Sequence, residues 1–122
     1  MFKENQKFEN TLSPEQELIV LLNTNGIENE MVRNKLIAYQ EQCERDAEAK
    51  ISANPEENGL ANSAQIVAAI TMAKLYAQTD KREYKEYALE SLYEIKQGED
   101  NLNERIQKEI QELITKLELQ GI

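Results

Sequence analysis

Residues 63–78 read SAQIVAAITMAKLYAQ, and this stretch decides the fold. No charged residue occurs between Asn58 and Ala73, and Lys74 is the only one before Asp80. Alanines are interspersed with Ile, Val, Met, Leu and Tyr, so bulky apolar side chains occupy several sides of the predicted helix. A helix that is apolar nearly all round lies in the centre of a helical bundle, where its alanines let neighbouring helices approach closely.

A second helix follows this stretch after a very short connection. Thr79 and Asp80 form the connection, and Asp80 with Glu83 matches the pattern of a capping box. The apolar stripe of this fourth helix of the chain consists of Tyr84, Tyr87, Ala88, Leu92 and Ile95, and Gly98 closes it. The short connection predicts that helices 3 and 4 form an antiparallel hairpin.

Two helices are predicted before the central stretch. Ser13 and Pro14 are typical of a helix start, and Gly26 can take the left-handed conformation that ends the first helix. A long amphipathic helix is predicted from about Glu28 to Ala53. Its apolar stripe is Val32, Leu36, Tyr39, Cys43, Ala47 and Ile51.

The last helix is predicted to begin near Asp100 or Asn101. Its apolar positions are Leu102, Ile106, Ile110, Leu113 and Leu117, with Ile114 on one flank. Such a stripe either packs on the bundle or pairs with a second copy of the chain. Packing on the bundle is favoured because the repeat lasts only about two heptads.

These patterns together predict an all-α fold, a compact bundle of about five helices with an antiparallel helix 3–helix 4 hairpin. Residues 1–12 are expected to form a flexible arm, and residues 13–122 a single helical domain. A chain of 122 residues is long enough to bury one core without disulfides or metals.

The charge of the chain constrains its partners. Fourteen basic and 23 acidic residues give a net charge of −9, and the acidic residues are spread along the sequence. Such a field repels nucleic acids and anionic membrane surfaces, so we expect neither direct nucleic-acid binding nor a membrane location. It attracts basic proteins, so a basic protein partner is expected; the alternative is that the acidity only confers solubility.

The residues that carry most enzyme chemistry are absent. The chain has no His and one Cys, which excludes His-based acid–base catalysis, Cys–His nucleophiles and internal disulfides. Cys43 is predicted to be a buried, unreactive thiol on the stripe of helix 2. The acidic stretches at 56–59 and 99–104 lack the order of a calcium loop, and no glycine-rich phosphate loop occurs. We therefore expect no enzyme activity, no cofactor and no metal site.

The sequence also predicts a compartment. The first ten residues are polar and do not resemble a signal peptide, and no run of about 18 apolar residues could span a membrane. With a single cysteine, these features predict a cytoplasmic location.

The candidate binding residues lie on helix 4. Tyrosine is common at protein interfaces because it combines a large apolar ring with a polar end. The candidate face comprises Glu83, Tyr84, Tyr87, Glu90 and Glu94. The alternative is that these tyrosines form the rim of the core.

The sequence thus predicts a non-enzymatic protein-binding module of the inhibitor, immunity or adaptor type, which occupies a surface of a basic partner. One alternative is a self-associating structural subunit, for example a homodimer through helix 5. Another is an enzyme that uses carboxylates, or a bundle that binds an apolar ligand, either of which needs a deep cavity beside helix 3.

Overall fold

The computed structural model describes residues 12–53, 64–98 and 102–121. The predicted arm, apart from Leu12, and the predicted loop at 54–62 lie outside these ranges. The regular elements in them are five helices: α1 (Pro14–Thr24), α2 (Glu30–Ala53), α3 (Ala64–Ala77), α4 (Arg82–Gly98) and α5 (Glu104–Leu119). The all-α prediction and the helix order are confirmed.

Helix α3 is the centre of the bundle, as its uncharged sequence predicts. It contacts each of the other four helices. Its buried side chains are Ala68, Ile70, Met72, Ala73, Leu75 and Tyr76. All five helices add buried residues to the same core, and each fully buried Leu or Ile contributes about 1.5–3 kcal/mol through removal of apolar surface from water.

The start of α1 is fixed by a capping box. The Ser13 hydroxyl accepts the backbone N–H of Gln16, and the Gln16 side chain accepts the Ser13 N–H, both at 3.1 Å. Two N–H groups that lack helical partners are thereby satisfied. After the helix, Gly26 has a φ of +85°, which confirms the left-handed conformation predicted for it.

Helices α3 and α4 form the predicted antiparallel hairpin through the turn at 78–81. Thr79 is buried in this turn, and its hydroxyl donates to the carbonyl oxygen of Tyr76 at 2.8 Å. The carbonyl of Lys81 accepts the first helical N–H groups of α4. Lys81 therefore precedes the helix, and the capping box predicted at Asp80 and Glu83 is wrong, because Asp80 turns towards α1: its N–H donates to Asn23 Oδ1 at 2.8 Å.

Helix α2 is less completely covered than its stripe suggests. Val32, Leu36 and Ala47 are buried, whereas Cys43 is half-buried, which corrects the expectation of a buried thiol. Helix α1 has 11 residues and α2 has 24, so α1 can cover only part of the length of α2.

Helix α5 packs on the bundle through contacts with α4 and α3. It begins at Glu104, a few residues later than predicted, because the Asn103 side chain caps it by accepting the Arg105 N–H at 2.7 Å. Its buried stripe is Ile106, Ile110, Ile114 and Leu117, and Leu102 just before the helix is buried as well. Within the described ranges, none of the helices is both long and apolar enough to cross a membrane.

Candidate partner-binding site

Four of the five predicted site residues share the exposed side of α4. Glu83, Tyr87, Glu90 and Glu94 follow one another at spacings of four, three and four residues, which places them on one face of a helix. All four side chains are exposed, and Tyr87 exposes 55% of its surface. We call these four residues the acidic face of α4.

Tyr84 does not belong to this face. Only 9% of its surface is exposed, and its hydroxyl oxygen accepts the backbone N–H of Ile27 at 2.8 Å. Its place in the candidate site is therefore corrected: Tyr84 is a core residue. The apolar periodicity of the sequence indicates that Tyr84 is buried. Tyr84 precedes Ala88 and Leu92 at spacings of four, and both of these residues are fully buried.

Tyr87 is exposed but not loosely held. Its ring stands edge-to-face against the ring of Tyr76, with 5.2 Å between the ring centres and an angle of 86° between the planes. Tyr76 is buried and in turn contacts Tyr84 at 6.0 Å between ring centres. The core therefore holds one side of the Tyr87 ring and leaves more than half of the side chain open to solvent.

The positive charges of α4 are turned away from the acidic face. The helix carries three cations, Arg82, Lys85 and Lys96, and all three bond to α5 or to the residues that follow it. The bonds are Arg82 Nη2 to the Gly121 carbonyl at 3.1 Å, Lys85 Nζ to Gln120 Oε1 at 2.8 Å, and Lys96 Nζ to Gln111 Oε1 at 2.7 Å. Tyr93 donates to Glu118 Oε2 at 2.5 Å on the same side of the helix.

The glutamates of α4 are left on the opposite side. Within the described part of the chain, Glu83, Glu90 and Glu94 have neither an ion-pair nor a hydrogen-bond partner. Glu86, which is not one of the predicted site residues, borders the acidic face and pairs with Arg82 at 3.1 Å. The cations of α4 thus lie on the side of the helix that packs against α5, and Glu83, Glu90 and Glu94 lie on the side that faces solvent.

Two depressions elsewhere on the surface do not bring acidic side chains together. A depression of about 580 Å³ lies between the end of α4 and the start of α5, and its lining includes two lysines, Lys96 and Lys108, with a single acid, Glu104. A smaller one of about 190 Å³ lies between α3 and α5, and no acid lines it. Among residues 12–53, 64–98 and 102–121, no three potential metal ligands converge.

The half-buried thiol of Cys43 is not activated. Burial raises the pKa of this thiol, and the nearby carboxylates of Asp46 and Glu15 raise it further, against the effect of a hydrogen bond from Tyr39. A raised pKa keeps the thiol protonated at neutral pH, and the protonated form is a poor nucleophile. Cys43 is therefore not a candidate for covalent catalysis.

The apolar stripe of α5 is the other surface that the sequence offered for association. Ile110, Ile114 and Leu117 are almost fully buried against α4 and α3. A homodimer through α5 would have to use the polar outer face of the helix, where Leu119 is the large apolar side chain that remains exposed.

Comparison of the chain with protein-family models, with curated proteins and with solved structures gives no significant match. The candidate site therefore rests on the geometry and the charge of α4.

Proposed function

We propose that this chain is a non-enzymatic binding module that occupies a basic surface of a partner protein through the acidic face of α4. The observation that carries the proposal is the separation of charge on this helix. All three cations of α4 bond to α5 or its C-terminal extension, while Glu83, Glu90 and Glu94 remain exposed around Tyr87. Exposed glutamates without partners around an exposed aromatic ring suit a contact surface for a cationic partner.

The charge of the whole chain supports the same partner. A net charge of −9 accelerates the approach of a basic protein and repels nucleic acids. Tyr87 adds a large apolar ring at the middle of the face, and tyrosine is enriched among the residues that dominate binding energies at interfaces. The face therefore offers both long-range attraction and a short-range contact.

The test compares two variants of equal net charge. Glu90→Gln with Glu94→Gln removes two charges from the acidic face, and Glu41→Gln with Glu48→Gln removes two exposed charges from α2 as the control. Proteins captured from the native host extract by wild-type chain are identified at low and at high salt. We expect a specific basic protein that wild type and the α2 control retain, that the α4 variant retains at least tenfold less, and that high salt releases.

Equal helicity of the three proteins, measured by circular dichroism, excludes misfolding as the cause. Retention that is the same for both variants, or that does not respond to salt, would show that the acidic face of α4 is not the binding surface.

A further inference from the structure

We infer that the partner presents an arginine to Tyr87, which makes Tyr87 the specific contact of the acidic face and arginine the preferred basic residue. This inference rests on the proposed function and deepens it, because it names the side chain that the face is built to receive.

The orientation of the Tyr87 ring is restricted before any partner binds. An exposed tyrosine on a helix ordinarily samples several rotamers, and ordering it on binding costs free energy. Here the edge-to-face contact with buried Tyr76 holds the ring at a defined angle to the bundle, while 55% of the side chain stays open. The open part of the ring is therefore preorganised for a partner group.

Two carboxylates flank the Tyr87 ring. Glu83 lies one turn before Tyr87 and Glu90 one turn after it, so carboxylates stand on both sides of the ring along the helix. A cation above an aromatic face is attracted by the negative potential of the ring. Nearby carboxylates strengthen the attraction, and no described residue neutralises either of them.

Arginine fits this ring and its carboxylates better than lysine does. The guanidinium group is planar, stacks on an aromatic ring and at the same time directs N–H groups in its plane towards carboxylates. The lysine ammonium is a compact and strongly hydrated charge that cannot do both. A ring flanked by two carboxylates therefore matches arginine in shape as well as in charge.

The acidic face of α4 is longer than the contact with one arginine. From Glu83 to Glu94 the face covers eleven residue steps, about 16 Å along the helix axis. One arginine at Tyr87 leaves Glu94 free to attract a further cation of the partner. The partner surface is thus a basic protein segment with an arginine among neighbouring cations.

The probes are an oligoarginine and an oligolysine peptide of equal length, titrated into the full chain and followed by NMR. Wild type is compared with Tyr87→Leu, which removes the ring, and with Tyr87→Phe, which keeps it. We expect Tyr87→Leu to weaken oligoarginine binding about threefold and to weaken oligolysine binding measurably less. Tyr87→Phe is expected to bind both peptides like wild type.

The charge variants described above keep the two proposals distinguishable. Suppose that Glu90→Gln with Glu94→Gln weakens the binding of both peptides more than the α2 control does, but Tyr87→Leu weakens the binding of both peptides equally or of neither. The arginine inference is then overturned and the binding face stands. If the α4 and α2 charge variants weaken peptide binding to the same extent, the proposal that the acidic face of α4 binds the partner is overturned.

Discussion

The phenolic oxygen of Tyr84 accepts the backbone N–H of Ile27 at 2.8 Å, although 57 positions separate the two residues in the sequence. The bond ties the first turn of α4 to the turn between α1 and α2. Close to it, the bond from the Asp80 N–H to Asn23 Oδ1 joins the turn between α3 and α4 to the last turn of α1. Together they fix where α4 begins, and with it the position of Glu83 at the start of the acidic face.

Replacing Tyr84 with phenylalanine removes the acceptor and leaves a partly buried N–H without a partner. We expect Tyr84→Phe to lower the free energy of unfolding by about 1–2 kcal/mol, measured by urea denaturation. Tyr87→Phe is the matched control, because it removes a hydroxyl from an exposed ring and keeps the contact with Tyr76; its effect is expected to stay within about 0.5 kcal/mol. An equal loss in both variants would show that the Tyr84 hydroxyl does not stabilise the turn.

Gly26 lies in the turn between α1 and α2, and its substitution tests the backbone conformation of that turn. A Cβ atom at this position would be 3.5 Å from the Tyr84 hydroxyl oxygen, an ordinary contact, so the cost of a side chain comes from the φ of +85°. We expect Gly26→Ala to lower the free energy of unfolding by about 1–2 kcal/mol, since left-handed backbone is unfavourable for alanine.

Gly98→Ala serves as its control. A Cβ atom at Gly98 meets nothing within 4 Å, and the residue ends α4 without a positive φ. We expect this substitution to be neutral or to stabilise the chain by up to about 0.5 kcal/mol. If both glycine variants lose stability to the same degree, the conformation of Gly26 is not the reason.

The helices and the core could be predicted from the sequence because the signal is local. The apolar residues of α5 repeat with the period of a helix, and Ile106, Ile110 and Ile114 are buried as that period requires. Helix boundaries were less accurate: the side chain of Asn103 caps α5, and the carbonyl of Lys81 rather than that of Asp80 accepts the first helical N–H groups of α4.

The partners of the α4 cations could not be predicted in this way. Arg82, Lys85 and Lys96 bond to acceptors on α5 or in the two residues after it, which lie 39, 35 and 15 positions away in the sequence. Helical spacing places Glu83, Glu90 and Glu94 on one face, but which groups of a neighbouring helix the cations meet is a property of tertiary packing. The half-exposure of Cys43 is likewise a property of tertiary packing, since Ala47 on the same stripe of α2 is buried.

The central position of α3 predicts which core substitution costs most. Leu75 is fully buried in the helix that contacts all the others. We expect Leu75→Ala to lower the free energy of unfolding by about 3 kcal/mol through lost burial and a remaining cavity. Val20→Ala on α1 is the control, because nearly half of that side chain is already exposed; its loss is expected to be about 0.5 kcal/mol. Comparable losses would show that α3 is not the centre of the core.

The buried ring of Tyr76 makes stability depend on alkaline pH. Burial, followed by repulsion from Tyr87 and Tyr84, raises the pKa of Tyr76 from 10.0 to about 12. The unfolded chain releases this proton at lower pH than the folded chain does, so the stabilisation is fully present below pH 10 and is lost as the pH rises towards 12. The free energy of unfolding should therefore fall across this interval, as measured by denaturation at a series of pH values.

Tyr76→Phe removes the ionisable group and keeps the ring. We expect its stability to fall less steeply than that of wild type across the same interval, with part of the slope remaining because burial also raises the pKa of Tyr39 to about 12. The tyrosinate absorption of the folded protein supplies an independent reading, since the variant should lose one late-titrating group. Identical pH profiles for wild type and variant would mean that Tyr76 ionises as readily in the folded as in the unfolded chain. The ring that supports Tyr87 would then be open to water.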